Sequence, residues 1–259
     1  MSETIRIAMW SGPRNISTAM MRSFENRNDT AVVDEPFYAA YLLRTGLDHP
    51  MRDAVLLSQP LDWQRVVDRL LGPVPGGCAV FYQKHMTHHM LPEFGRSWIR
   101  FCRNAFLIRS PGQVLASYSE KRAEVTLSDI GFVEQRELFE READRLGKAP
   151  PVIEAADVLD DPRGMLTALC NALDVPFSAQ MLEWPKGRRR TDGVWAPVWY
   201  GTVEKSTGFV KPAERLHQRM SDDLRSIAEA ARPHYERLAA FKLSPPQAAG
   251  KDDLSPNPG

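Results

Sequence analysis

A turn after the first apolar segment carries residue types that bind phosphate-like anions. The segment Ile5 to Trp10 is followed by Ser11-Gly12-Pro13-Arg14-Asn15-Ile16-Ser17-Thr18 and then by a helix-forming stretch. At such a strand-to-helix turn, unpaired backbone N–H groups and the positive end of the helix point at one spot. Ser17 and Thr18 add hydroxyl donors, and Arg14 adds a fixed positive charge. The alternative is an ordinary turn with a serine helix cap and a surface arginine.

This turn is not a Walker A sequence. Ile16 and Ser17 stand where that motif has its glycine and lysine. A P-loop phosphotransferase needs the lysine on the phosphates and a carboxylate that holds magnesium, for which Asp34 is the one obvious candidate. An ATP- or GTP-dependent phosphotransferase therefore stays as an alternative enzyme. A non-catalytic nucleotide-binding domain is the alternative from a different functional class.

A second basic position follows a later apolar segment. Ala105 to Ile108 is followed by Arg109-Ser110-Pro111-Gly112, and Ser117 comes eight residues after Arg109 on the next predicted helix. An arginine at the carboxyl end of a parallel strand faces the same crevice as the first turn. The two positions together predict two anion sites along one edge of a sheet.

In this order, the two motifs resemble the PAPS-dependent sulfotransferase superfamily, mainly over residues 5 to 122. The resemblance implies PAPS as co-substrate and no metal. It implies that the loop from Gly12 through Arg14, Asn15, Ser17 and Thr18 binds the 5′-phosphosulfate, and that Arg109 and Ser117 bind the 3′-phosphate. Arg14 and Ala19 depart from the lysine and the aromatic residue that the family's cytosolic branch usually has there.

A late basic loop, Lys186-Gly187-Arg188-Arg189-Arg190, is similar only in chemistry to the loop that closes over the 3′-phosphate in that branch. Arg188 is its candidate for the 3′-phosphate. The alternative is a basic loop that simply faces water, as charged clusters commonly do.

Sulfuryl transfer needs a general base, and the sequence offers two sources. Glu35 lies where the second predicted strand ends, and Pro36 restricts its backbone. Similar acids are proposed as the base in bacterial carbohydrate-type sulfotransferases.

The other source is Lys84-His85-Met86-Thr87-His88-His89, after a strand predicted from Cys78 to Tyr82. The resemblance gives Lys84 a contact with the transferring group and His85 or His88 the acceptor proton, with His89 unranked. A zinc site of three histidines is a weaker alternative.

Aromatic residues concentrate in a polar region near the end of the chain. The region contains Trp184, Trp195, Trp199 and Tyr200. These side chains could cap the acceptor or the adenine, or form a small hydrophobic cluster under a loop. The sequence favours neither.

The elements that position these residues follow from continuous apolar runs. Such runs, apolar on both faces, are typical of parallel strands covered by helices. They occur at Ile5 to Trp10, Ala31 to Val33, Cys78 to Tyr82, Ala105 to Ile108 and Val152 to Ile153. We expect an α/β fold with three layers, α/β/α, around a central parallel sheet of the P-loop, sulfotransferase-like kind.

Helical patterns lie between and after these runs. They predict an amphipathic helix from Trp63 to Leu71, a charged surface helix over Leu127 to Leu146 and a terminal helix from Leu216 to Leu238 with a kink or break at Pro233. We expect one domain over residues 1 to 243. A proline-rich disordered tail is predicted over residues 244 to 259.

Composition narrows the remaining possibilities. The chain has 259 residues, and its 33 Lys and Arg balance its 33 Asp and Glu. Neutral net charge by itself indicates no partner, but basic and aromatic residues do not interleave, so no nucleic-acid partner is expected. Three scattered cysteines, no signal-like start and no long apolar run predict a cytoplasmic protein without membrane contact. The expected partner is a small-molecule or carbohydrate acceptor. The sequence leaves open the identity of this acceptor and the oligomeric state of the protein.

Overall fold

Five parallel strands form the centre of the molecule. The computed structural model describes residues 4–119, 125–211 and 220–246. The strands are β1 (Ile5–Ser11), β2 (Thr30–Asp34), β3 (Val80–Met86), β4 (Arg103–Ile108) and β5 (Val152–Glu154). Their order in the sheet is β2-β3-β1-β4-β5, and every neighbouring pair is parallel. The predicted α/β class with a central parallel sheet is confirmed.

Helices connect these strands and cover the sheet. The α-helices are α1 (Ser17–Glu25), α2 (Tyr38–Thr45), α3 (Arg52–Ser58), α4 (Trp63–Leu71), α5 (Pro111–Tyr118), α6 (Leu127–Ile130), α7 (Phe132–Leu146), α8 (Ala155–Asp160), α9 (Pro162–Ala172), α10 (Ala196–Trp199) and α11 (Asp222–Ala239). Short 3₁₀ turns lie at Pro75–Gly77, Thr87–His89, Ser97–Phe101, Ala179–Leu182 and Val203–Lys205.

The sheet separates two hydrophobic cores. On one face, Met20 and Phe24 of α1 and Leu166 of α9 pack against alternate strand residues such as Met9. On the other face, side chains of α4, α7 and α11 pack against the remaining alternate residues, among them Trp10. Because both faces are covered, the strands need apolar residues throughout, which explains the continuous runs in the sequence.

Two predicted element boundaries are wrong. The third strand runs from Val80 to Met86 instead of ending at Tyr82, so Lys84 and His85 lie inside it. Gln83, Lys84 and His85 are buried and hydrogen-bonded, so these polar residues continue the strand. The predicted helix over Leu127 to Leu146 is two helices, because Gly131 adopts a left-handed conformation at φ 65° between them. The segment has one buried and one exposed face, as expected for a helix on the surface, and α7 buries five residues.

The C-terminal helix covers the sheet as predicted, but it is not broken at Pro233. α11 continues through Pro233, which is exposed, so water can reach the carbonyl group that loses its backbone partner. Leu216, where this helix was predicted to begin, lies outside the described residues, as does the tail beyond residue 246. Within the described ranges, no helix is both long and apolar enough to cross a membrane.

The alternation of the strands decides which polar residues meet. Tyr82 and Val32 pack into the core on the α1 side. Lys84 and Asp34, two residues further along, therefore point to that side as well. His85 points to the opposite side, where it stacks on Trp10 with the ring centroids 4.5 Å apart.

Candidate active site

The loop between β1 and α1 is shaped for an anion. Arg14 and Ile16 both have left-handed backbones, with φ 58° and 36°, which is strained for residues other than glycine. No side chain caps the start of α1 at Ile16, and its first turn holds no acidic residue. The N–H groups of that turn thus remain available for an anion.

Hydrogen bonds to neighbouring elements hold this loop in place. Asn15 Nδ2 donates to the Leu107 carbonyl oxygen at 2.6 Å, and Gln135 Nε2 donates to the carbonyl oxygens of Leu107 and Trp10 at 2.9 and 3.1 Å. The Asn15 side chain is buried and ties the loop to β4. Its amide thus positions the loop, whereas the resemblance implied a contact with the donor.

The predicted second anion position meets the first. Arg109 Nη1 donates to the Arg14 carbonyl oxygen at 2.6 Å, and Arg14 Nε donates to Ser117 Oγ at 2.9 Å. Burial and the positive charge of Arg14 lower the pKa of Arg109, with partial compensation from Glu154. The two neighbouring guanidinium groups repel each other, and a bound anion would relieve that repulsion.

A buried polar cluster lies where β2 and β3 end. Lys84 Nζ donates to Asp34 Oδ1 at 2.8 Å, to Glu35 Oε1 at 2.7 Å and to the Tyr200 hydroxyl at 2.7 Å. An ammonium group has three N–H donors, so all three are used. The side chain of Glu35 is 12% exposed, against 2% for Asp34 and 1% for Lys84. Of these three charged side chains, Glu35 is the most exposed.

The cluster changes the proton affinities of its members. Burial raises the pKa of Glu35, and the Asp34 carboxylate raises it further, while the Lys84 ammonium opposes both. Burial alone would lower the pKa of Lys84, but the carboxylates of Asp34 and Glu35 outweigh it and hold that pKa well above its usual value. Lys84 therefore stays charged, and Glu35 is a stronger base than an exposed glutamate.

Asp34 is fully occupied inside this cluster. Its Oδ1 accepts from Lys84, and its Oδ2 accepts from the Tyr200 hydroxyl at 2.7 Å and from the Gly193 N–H at 3.0 Å. Asp34 is the carboxylate that a P-loop phosphotransferase would need for magnesium. Both of its oxygens thus already accept hydrogen bonds, and the Lys84 ammonium group lies beside it. This geometry disfavours the magnesium role of Asp34.

The three neighbouring histidines occupy different places. His85 is buried between Trp10, Phe37 and Trp98 on the far side of the sheet, and burial lowers its pKa to about 3. That placement disfavours His85 as the base. His88 and His89 follow β3 in a 3₁₀ turn, with the ring of His88 against that of Tyr41.

His89 stacks on Tyr38 and Tyr41, and burial holds the pKa of His89 well below its usual value. Among the described residues, no set of three or more histidine, cysteine or acidic side chains is arranged to hold a metal ion.

The basic loop is held beside α1, away from the start of that helix. Arg22 pairs with Asp192 at 2.7 Å, and Arg189 lies 3.9 Å from Glu25. The residues of α1 that anchor the loop lie five to eight positions beyond Ser17, about 7–12 Å along the helix axis. Arg188 is 56% exposed and pairs with Glu204 at 3.8 Å. The partner of Arg188 in this structure is thus a carboxylate.

Comparison with known proteins identifies the family. Residues 5–242 match the family model described as "Sulfotransferase domain". The chain belongs to this sulfotransferase family. The loop at Arg14 and the position at Arg109, from which the resemblance was inferred, both lie in the matched region.

Two curated proteins of Arabidopsis thaliana are similar to this sulfotransferase-family chain. "Branched-chain-amino-acid aminotransferase-like protein 2" is 34% identical over 250 residues, covering 93% of this chain and 44% of that protein. "Branched-chain-amino-acid aminotransferase-like protein 1" is 38% identical over 213 residues, covering 82% of this chain and 38% of that protein. The chain thus spans less than half the length of these relatives, whose names describe longer proteins.

Solved structures of sulfotransferases share the fold. A sulfotransferase from Alicyclobacillus acidocaldarius superposes with a TM-score of 0.53 at 13% identity, covering 92% of this chain and 96% of that one. The sulfotransferase domain from the curacin biosynthetic pathway gives a TM-score of 0.50 at 15% identity, covering 94% and 100%. At these identities the similarity establishes the fold alone.

The sequence gives no sign that the Tyr200 hydroxyl belongs to this site. Its pattern predicts only an aromatic role for Tyr200 and Trp195, yet Trp195 Nε1 donates to the Tyr200 hydroxyl at 3.0 Å inside the polar cluster. Trp184 instead packs against Phe209. Tyr200 lies 116 residues after Lys84, so no local spacing could connect them.

Proposed function

We propose that this chain is a PAPS-dependent sulfotransferase that transfers a sulfuryl group to a hydroxyl or amine of a small-molecule or carbohydrate acceptor. The observation that carries this proposal is the convergence of the two basic positions. Arg109 bonds the backbone of Arg14, and Arg14 bonds Ser117, so one crevice offers positive charge for both anionic groups of one nucleotide. A donor that carries a 5′- and a 3′-anion would supply a negative charge for each of the two arginines.

The donor fits the residues that surround this crevice. The N–H groups at the start of α1, with Ser17, Thr18 and Arg14, would hold the 5′-phosphosulfate at the loop that begins with Gly12. Arg109 and Ser117 would hold the 3′-phosphate. When bound, PAPS supplies an activated sulfuryl group, whose bond to the 5′-phosphate breaks as its bond to the acceptor forms. The loop donors and Arg14 then stabilise the negative charge left on that phosphate.

Glu35 is the proposed base. The acceptor's proton moves to Glu35 as the acceptor oxygen or nitrogen bonds to sulfur, and adenosine 3′,5′-bisphosphate leaves with the electron pair. Glu35 suits this role because burial raises its pKa and its side chain is the most exposed of the three charged members of the cluster. His88, at the same end of β3, is the alternative base.

Proton transfer to Glu35 would also release Lys84. A neutral carboxylic acid holds an ammonium group more weakly than a carboxylate does. One N–H of Lys84, bonded to Glu35 at 2.7 Å beforehand, would then be free for the transferring group. This accounts for a lysine whose three donors are all occupied before the proton moves.

Two alternatives remain to be tested against this proposal. A magnesium-dependent phosphotransferase is disfavoured by the missing Walker lysine and by the occupied oxygens of Asp34. A non-catalytic nucleotide-binding domain would bind the donor without turnover. The cytoplasmic location, the single domain over residues 1 to 243 and the absence of a nucleic-acid partner stay predictions.

Calorimetric titration tests the donor site. We expect adenosine 3′,5′-bisphosphate to bind more tightly than ATP with magnesium. Arg109→Ala should weaken that binding about 10- to 100-fold, the value of a lost hydrogen bond to a charged group.

Arg103→Ala is the matched control, because Arg103 lies at the other end of the same strand. Equal affinity for the two nucleotides, or equal losses in the two variants, would contradict the proposal.

A further inference from the structure

The Tyr200 hydroxyl has no capacity left for proton transfer. It accepts hydrogen bonds from Lys84 Nζ at 2.7 Å and Trp195 Nε1 at 3.0 Å, and it donates to Asp34 Oδ2 at 2.7 Å. A phenol has one proton and two lone pairs, so every bonding position is used. Burial and the Asp34 carboxylate raise the pKa of Tyr200 well above its usual value. The hydroxyl therefore stays protonated and neither gives nor takes a proton.

Tyr200, Asp34 and Lys84 form a closed triangle of hydrogen bonds. Lys84 donates to both other members, and Tyr200 donates to Asp34. Because two of the three N–H bonds of Lys84 end within this triangle, the direction of the third is fixed. That third N–H is the one that reaches Glu35.

The segment that carries Tyr200 is anchored before the triangle. Asp192 pairs with Arg22 at 2.7 Å, with both side chains buried, and the Gly193 N–H bonds Asp34. A Cβ atom at Gly193 would lie 2.1 Å from the ring of Trp195, so only glycine lets that ring approach the backbone here. These contacts hold Tyr200 in place, at the cost of burying an ion pair.

We propose that Tyr200 is a positioning residue that, together with Asp34, aims the Lys84 ammonium at Glu35. This inference rests on the proposed role of Glu35 as base. Without the Tyr200 hydroxyl, Lys84 loses one acceptor and Asp34 loses one donor, and the ammonium is free to turn away from Glu35. The pKa of Glu35 would then rise, because the Lys84 ammonium lowers it in the intact cluster.

Tyr200→Phe tests this role, with Tyr235→Phe as the matched control. Tyr235 also donates a hydrogen bond to a buried carboxylate, Glu154 Oε2 at 2.8 Å, but it lies on α11. The direct readout is the pH titration of glutamate carboxyl carbons by NMR, with the Glu35 resonance assigned through Glu35→Gln. We expect the Glu35 titration to move to higher pH in Tyr200→Phe and to stay in place in Tyr235→Phe.

Kinetics give the second readout. Tyr200→Phe should lower kcat about tenfold, as expected for one hydrogen bond to a charged group, and move the acidic limb of the kcat profile in the same direction. The affinity for adenosine 3′,5′-bisphosphate should be unchanged. If Tyr200→Phe does not fold, Trp195→Phe removes one donor to the hydroxyl and should shift the Glu35 titration less, in the same direction.

Lower stability with an unmoved Glu35 titration would overturn the inference, because it would give Tyr200 a purely structural role. Failure of the proposed function has a different signature. If the wild-type protein transfers no sulfuryl group from PAPS, the proposed function fails, yet the NMR titration still decides whether Tyr200 sets the environment of Glu35.

Discussion

Glu35 combines three unusual properties in one side chain. Its backbone is left-handed at φ 42°, its pKa is raised by burial, and it bonds a lysine that is itself buried. Strain of this kind costs about 1–3 kcal/mol and persists only where surrounding contacts enforce it. Here the Glu35 N–H bonds the Lys84 carbonyl oxygen at 2.9 Å, and Gln59 Nε2 bonds the Glu35 carbonyl oxygen at 3.0 Å.

The role of Glu35 leads to a prediction at this scale. Glu35→Gln keeps an acceptor for Lys84 but cannot take a proton, so kcat should fall about 10²- to 10⁴-fold with little change in donor affinity. His85→Ala and His88→Ala are made in parallel, and His85→Ala should not reproduce that loss. Steady-state kinetics and donor titration measure the two quantities.

A near-wild-type rate in all three variants would eliminate a protein base from this set. A loss confined to His88→Ala would move the base to His88.

Single residues could be predicted only where local patterns decide their place. The end of an apolar run predicts the place of Glu35, whereas the resemblance implies the roles of Lys84 and His85. Because the strand is predicted to end at Tyr82, Lys84 and His85 are both expected just beyond it. Once β3 extends to Met86, adjacent residues must face opposite sides of the sheet, and Lys84 and His85 separate. Tyr200 could not be placed, since its contacts depend on tertiary structure.

Among the secondary structure elements, the loop before α1 depends on close packing against α6. A Cβ atom at Gly12 would lie 2.5 Å from the Ile130 carbonyl oxygen, a distance that real Cβ atoms do not reach. The backbone of either the loop or α6 must therefore shift if Gly12 is replaced. The sequence marked Gly12 as part of an anion loop but contained no sign of this second reason for glycine.

Gly12→Ala should weaken binding of adenosine 3′,5′-bisphosphate about tenfold or more, because the loop N–H groups move away from the anion. Gly201→Ala is the control, since a Cβ atom there would meet nothing within 4 Å. Calorimetric titration measures both variants. Unchanged affinity in Gly12→Ala would mean that the loop does not depend on this contact.

For the whole molecule, the buried histidines tie stability to pH. Burial lowers the pKa of His85 to about 3, from a usual value of 6.5. The unfolded chain therefore binds a proton at His85 below about pH 6.5, while the folded chain does not until about pH 3. The free energy of unfolding is lost as the pH falls through this window, by about 1.4 kcal/mol per pH unit for each such proton.

His85→Phe keeps an aromatic ring against Trp10 and removes this proton. Between about pH 6.5 and pH 4, the unfolding free energy of His85→Phe should fall less steeply than that of the wild-type protein, by the equivalent of about one proton. The buried His89 should still contribute part of the fall. Urea unfolding at a series of pH values measures the slope. A slope equal to that of the wild-type protein would show that His85 is not a buried neutral group.

The fold class was predictable because each strand is apolar on both faces, a property that is local in sequence and independent of the connections. The meeting of Arg14 with Arg109 was predictable for a similar reason, since carboxyl ends of parallel strands share one edge. The region that follows Trp184 was not predictable in this way. Its course is set by pairs such as Arg22 with Asp192, which are 170 residues apart.

The alternation within β3 has a consequence for how this protein can change. Deleting or inserting one amino acid before Lys84 in this strand would put a neighbouring side chain in place of the ammonium, and the cluster would lose its positive charge. Substitutions that keep the strand's length leave that frame intact. Because all seven residues of β3 are buried, the stretch is constrained in its length as well as in its composition.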